Sequence, residues 1–329
     1  MRTFSHPGYK RFLLSVGCLL SIHFTALFFL TLFRLVFFFS ANYDFPDQEH
    51  VGFMSIWPAF IRGVWFDNVI ACYILLIPLV AVSISALFNY YGKILWNVTC
   101  IFFSLFYGIV LLVTAANIPY FQYFFKIINS SVFNWFGYMN TTAGMVFGET
   151  SYYPPLIGFL LTLVLFIWLM RRLIRHFQRL LNTKNPSVFW LDRIYIFLTA
   201  CICIGLCLFG IRGRTGYNPI KVSAAYYCTD PFLNQLGISP VFNLLSSTLD
   251  DSRKENRYLH LMPENEALEN TRHYLNRPGI EGISPIARQI NASDSLRRPN
   301  IVLIFMESMS AHLMKRFGQQ KELTPFLDS

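Results

Sequence analysis

The sequence predicts a polytopic α-helical membrane domain of five spans, followed by the first strand and helix of an α/β unit. Three observations carry this reading. Of 329 residues, 54% are hydrophobic and 14% are charged, against about 25% charged in an ordinary soluble domain. Five stretches of 18 to 23 residues lack Asp, Glu, Lys and Arg, and about 20 apolar residues suffice to cross a bilayer. One β-branched run, residues 300–306, is far too short for a span and has the length of a buried strand. A disordered chain, a basic nucleic-acid-binding protein and a simple cytosolic enzyme are excluded.

The spans follow in order. Phe12–Phe33 has 22 residues, Asn68–Phe88 has 21, Ile94–Ala116 has 23, Thr150–Met170 has 21 and Ile194–Ile211 has 18. Pro78 lies inside the second span, where neighbouring helices accommodate the lost hydrogen bond. The first span follows Arg2, Lys10 and Arg11, as a signal peptide would. Its apolar run exceeds the roughly 7–15 residues of a signal h-region, so it reads as a retained helix.

Charge sets the expected orientation. The N-terminus, the turn at Lys93 and the segment from Arg171 to Arg193 hold ten basic residues. The opposite loops, residues 40–67 and 117–149, hold two, Arg62 and Lys126, with five acidic residues. The positive-inside rule then places the N-terminus in the cytoplasm and everything after about residue 211 outside a cytoplasmic (inner) membrane. Of the net charge of +9, residues 1–210 carry +7. The excess serves topology, on loops facing anionic lipid, and needs no nucleic-acid partner.

Several polar and aromatic residues ask for an environment. Arg34, near the outer end of span one, is expected to snorkel to the interface. His23, near the middle, is expected to face the bundle as a hydrogen-bonded packing residue, with lipid handling as the functional alternative. Six of the seven cysteines fall in apolar runs, and only Cys228 lies in a polar stretch, so no disulfide framework is expected. Residues 117–149 contain ten Phe, Tyr or Trp in 33. Such rings settle at headgroup level, so this loop is expected to lie in the outer interface, partly helical. It would be either a floor for a lipid substrate or an anchoring hairpin.

Residues 212–298 read as juxtamembrane helices and linker. Arg212 and Arg214 follow the last span, where they could meet lipid phosphates. Pro240–Leu249 carries Val241, Phe242, Leu244 and Leu245 on one helical face and reads as a short helix lying on the membrane. From Asp250 to Glu281, 12 of 32 residues are charged. Pro263–Leu275 is a helix candidate, with Glu264 and Glu266 at the positive end and Arg272 and His273 at the negative end. Residues 277–299 are rich in Pro and Gly and read as connector.

The run Asn300–Met306 reads as a buried parallel strand. Glu307 ends it, and Ser308 would cap a helix through about Phe317. A carboxylate at the carboxyl end of a strand, before a helix N-terminus, is where open α/β sheets place ligands. Such a group can hold a divalent cation.

The segment "RPNIVLIFMESMSAHLM…LTPFLDS" resembles the opening of a sulfatase-type, alkaline-phosphatase-like domain. Five preceding spans point to the lipoteichoic acid synthase-like branch, the membrane phosphoglycerol and phosphoethanolamine transferases. The architecture is similar along the whole chain; residue-level likeness covers the last 30 or so residues, 299–329. The resemblance implies that Glu307 binds a catalytic divalent metal (Mn²⁺, Mg²⁺ or Zn²⁺). Leu323–Asp328 matches the family's following Thr-Pro segment, so Thr324 is not the nucleophile. The Thr nucleophile and the remaining metal ligands are expected beyond Ser329, and residues 1–329 alone are expected to give no turnover.

The resemblance further implies a membrane phospholipid as donor and a cell-envelope glycan, lipid or polymer as acceptor, joined through a phospho-Thr intermediate. A membrane-bound sulfatase or phosphodiesterase is the alternative within the superfamily. A non-catalytic membrane protein, such as a transporter, is the alternative outside it. Internal repeats and paired broken helices would favour transport, and the sequence has neither.

Overall fold

A computed structural model of the chain describes residues 6–41, 53–181, 190–253, 261–275, 300, 302–306 and 309–328. The chain divides into two units, residues 1–259 and 260–329.

Five helices are long and apolar enough to cross a membrane: α1 (Pro7–Ser40), α2 (Phe53–Leu87), α3 (Lys93–Phe124), α5 (Tyr153–Leu181) and α6 (Trp190–Arg212). They run alternately up and down, so one end of the bundle gathers Pro7, Leu87, Lys93, Leu181 and Trp190. The other gathers Ser40, Phe124, Tyr153 and Arg212. Helix α1 packs on α2 and α5, α2 on α6, and α3 on α5. The core is aromatic: Phe12, Phe66, Trp96, Phe103, Tyr107 and Phe166 are fully buried. Phe103, Tyr107 and Phe166 form a run of ring contacts with centroids 5.7 and 5.3 Å apart. Span hydroxyls donate back one turn, Ser83 to the Leu79 carbonyl and Thr114 to that of Val110, both at 2.7 Å. No polar hydrogen from these residues is left for lipid to solvate.

At the first end, Arg11 donates to the Leu181 carbonyl at 2.7 Å and lies 5.0 Å from the centre of the Tyr91 ring. His6 pairs with fully buried Asp192 at 2.8 Å, closing α6 onto the start of α1.

At the other end, residues 213–252 form a collar. Gly213 turns the chain at φ 74°, and a Cβ there would sit 2.7 Å from the Ile220 side chain, so glycine is required on two counts. Helices α7 (Pro231–Leu236) and α8 (Pro240–Ser252) follow. Asp230 caps α7 by accepting from the Leu233 N–H at 2.8 Å. Asn234 accepts from the Tyr227 N–H at 2.9 Å and donates to the Cys228 carbonyl at 2.7 Å, which folds the preceding loop onto α7.

Two expectations change here. Helix α2 begins about fifteen residues before the predicted span, and Arg62 and Asp67, read as loop charges, are helical. Arg34 does not snorkel. It is 5% exposed, pairs with Asp67 at 2.6 Å, and donates to the Leu236 and Ile238 carbonyls. The reason is shared: each charge has a fixed partner inside the protein, so neither needs water. Arg62 likewise donates to the Ala224 carbonyl at 2.9 Å and lies over the Tyr227 ring. The α8 helix forms as expected, but Phe242 rests on Phe66 of α2, with ring centroids 4.8 Å apart. Leu245 and Leu249 stay exposed.

In the second unit, α9 (Glu264–Leu275) matches the predicted helix. No strand is present among the described residues. Val302, Leu303, Ile304 and Phe305 are each at least 74% exposed. A buried strand needs partner strands to take its backbone groups, and the described residues supply none. Instead of one helix to Phe317 there are two single 3₁₀ turns, Ala311–Leu313 and Lys315–Phe317.

Candidate functional site

Between α3 and α5 the chain makes a layered connector. Phe125 ends α3 in the left-handed conformation, φ 53°. A 3₁₀ helix, Ser130–Tyr138, and helix α4 (Met139–Gly148) follow. With the ends of α3 and α5 they enclose a cleft of about 670 Å³, within the roughly 300–1,000 Å³ of ligand pockets.

Its first wall is α3, from Leu112 through Ala116 and Tyr120 to Phe124. Its second is the connector, with Val132 and Trp135, and α4, with Thr141, Thr142 and Met145. Its third is the start of α5, with Pro155, Leu156 and Phe159. Tyr120, Phe124 and Trp135 form a mutual cluster, with centroids 4.7 to 5.8 Å apart. No charged side chain lines the cleft. The few polar atoms are partly spent on the protein: Thr142 donates to the Tyr138 carbonyl at 3.1 Å, and Tyr120 donates to Asn129 at 3.4 Å.

The frame behind the cleft is hydrogen-bonded to the collar. Asn117, buried in α3, accepts from the Ile128 N–H at 3.0 Å. Gln235 of α7 accepts from the Ile127 N–H at 3.1 Å, and Asn243 of α8 donates to the Ile128 carbonyl at 2.9 Å. Ser247 accepts from the Ser130 N–H at 2.9 Å. Ile127, Ile128 and Ser130 of the turn 127–130 are thereby each held by a side chain from another element, and the connector starts from a fixed point.

A second, smaller cavity of about 390 Å³ lies among α1, α2 and α6. His23 faces it and pairs with Asn68 at 3.0 Å, as the packing reading expects. Cys72 and Cys207 lie on its wall, with the Cys207 thiol donating to the Cys72 carbonyl at 3.3 Å.

Glu307, the predicted metal ligand, lies outside the described residues, as does Ser308. Among the described residues no three His, Cys, Asp or Glu side chains gather as a metal site. The segment after it folds back on itself. The Asp328 carboxylate accepts from the Lys315 N–H at 2.9 Å, the Arg316 N–H at 3.2 Å and the Thr324 hydroxyl at 2.9 Å. These bonds, led by that from Lys315, hold its pKa below the usual carboxylate range. Thr324 is thus a turn-fastening residue here.

The aromatic load of 117–149 was readable along the chain. The α5 wall and the polar frame were not. Asn117, Gln235 and Asn243 are single polar residues whose backbone partners lie 11, 108 and 115 residues away, beyond any helix or turn spacing, and nothing local marks them. Compared with family models, curated proteins and solved structures, the chain gives no match.

Proposed function

We propose that this protein serves to transfer a phosphoglycerol or phosphoethanolamine headgroup from a membrane phospholipid to a hydroxyl of a cell-envelope glycan, lipid or polymer. The observation that carries the reading is the run Asn300–Met306 ending in Glu307, set after five apolar helices. The exchange is a redox-neutral phosphodiester transfer. The phosphorus–oxygen bond to diacylglycerol breaks, a bond to the acceptor oxygen forms, and the acceptor's proton ends on diacylglycerol. In this reading the N-terminus is cytoplasmic, and the collar and second unit are extracytoplasmic, beside the outer leaflet where the donor headgroup sits.

A divalent cation at Glu307 would shield phosphate charge and lower the pKa of an attacking hydroxyl. Among the described residues no three His, Cys, Asp or Glu side chains gather as a ligand set, and no step is assigned to the metal. What this chain's described residues offer is positioning: an apolar cleft suited to lipid and a collar that fastens one end of the bundle.

The test is release of diacylglycerol from headgroup-labelled phosphatidylglycerol or phosphatidylethanolamine by the full-length protein in proteoliposomes with Mn²⁺. Release that disappears with Glu307→Ala supports the reading. Release unaffected by that change, or none with either lipid, contradicts it.

A further inference from the structure

We infer that the aromatic cleft seats one acyl chain of a phospholipid, drawn from the leaflet beside the collar. This deepens the transfer reading and rests on it only in naming that lipid as the donor; the seat itself stands on geometry.

Four observations support it. The lining is carbon-rich and carries no charge, so it suits a hydrocarbon tail and would leave a headgroup desolvated without a partner. The α3 wall runs from Leu112 to Phe124, about 18 Å of helix, which matches the roughly 15 Å of one leaflet's hydrocarbon. The wall is continuous with lipid-compatible surface: Ile109, Leu112, Leu160 and Leu161 are all exposed. A chain can therefore slide in from the bilayer without crossing water. Finally, Lys126 lies two residues past Phe124 and is exposed. It is the basic residue of the connector, placed at the end of the wall where the headgroup of a seated lipid would emerge.

A partner's apolar helix is the competing occupant. The volume disfavours it: about 670 Å³ would hold less than about two turns of a helix about 10 Å wide.

The experiment uses the full-length protein in nanodiscs of phosphatidylglycerol containing a diazirine midway along the sn-2 chain. After irradiation, adducts should concentrate on peptides containing Trp135, Met145 and Phe159. Ala116→Trp and Thr141→Trp fill the cleft from opposite walls, both from exposed positions. Either variant, verified as folded by its melting profile, should lower adducts on those peptides about tenfold, the change that ~1.4 kcal/mol of lost binding produces. Adducts spread evenly over the lipid faces of α1 and α6, or unchanged yield in a folded variant, would overturn the seat. Cross-linking to a copurifying protein at these peptides instead of lipid would overturn it too. The two readings separate cleanly. Cleft adducts without diacylglycerol release leave the seat standing and overturn the transfer. Release that persists with the cleft filled leaves the transfer standing and overturns the seated lipid as its donor.

Discussion

The collar and the cleft occupy the same end of the bundle and are built on opposite principles. The collar is held by directed polar bonds: Arg34 to Asp67 and two carbonyls, Arg62 to Ala224, and Asn234 to its own loop. The cleft is walled by rings whose contacts have broad geometric tolerance. Directed bonds fix one geometry and fail together when one partner is lost. Ring walls can part and close again at small cost. The difference teaches which part holds position and which part admits a ligand.

The comparison breaks most sharply at the ion pair. Arg34 and Asp67 are 5% and 2% exposed. Arg34→Ala leaves Asp67 as an uncompensated buried charge, and such losses cost about 3–5 kcal/mol. A large drop in melting temperature in detergent is expected, with Asp67→Ala similar and the double variant well short of the sum. Additive effects would show that the pair does not couple.

Gly63 comes next. A Cβ there would overlap the guanidinium carbon of Arg34. Gly63→Ala is expected to displace the pair and destabilise by about 1–3 kcal/mol, as overpacking does. Combined with Arg34→Ala it should add little, which a double-mutant cycle measures.

Asn117→Ala removes the acceptor for the buried Ile128 N–H, at about 1–3 kcal/mol. Because this bond joins the frame to the cleft, hydrogen exchange should rise at Ile127–Ser130 before it rises in α7. By contrast, Ala116→Trp should change stability by less than about 0.5 kcal/mol, as surface substitutions do, while removing lipid adducts.

The smallest effect lies in the second unit and concerns pH. The Asp328 carboxylate has its pKa lowered, chiefly by the Lys315 N–H. Its contribution is therefore complete above the ordinary carboxylate pKa and is lost as pH falls through the lowered value. Protection of the Lys315 and Arg316 amides, taken relative to their intrinsic exchange rates, should fall on acidification through that range and be low throughout in Asp328→Asn. Protection in the parent that does not change with pH would remove Asp328 from the turn.

How much of this was legible follows from where each residue's partners lie. The spans were readable because their signal is local, and all five predicted runs fall within or almost wholly within the helices found. The early start of α2 was hidden because Arg62 and Asp67 look like loop charges until Arg34 and the Ala224 carbonyl are placed beside them. His23 announced itself as a bundle-facing residue, but its partner Asn68 is forty-five residues away. The aromatic loop was visible as composition; the cleft was not, because its third wall comes from α5. The strand at 300–306 was read from a short, apolar, β-branched run between Pro299 and Glu307, and a strand exists only with a neighbour to pair with.

The most direct measurement is hydrogen–deuterium exchange of the full-length protein, in phosphatidylglycerol nanodiscs and in lipid-free detergent. Slow exchange in the collar helices α7 and α8 in both, with lipid-dependent protection confined to residues 130–148, is the predicted result. Collar and connector exchanging alike, or lipid protecting both equally, would contradict the division between a fastened collar and an open cleft.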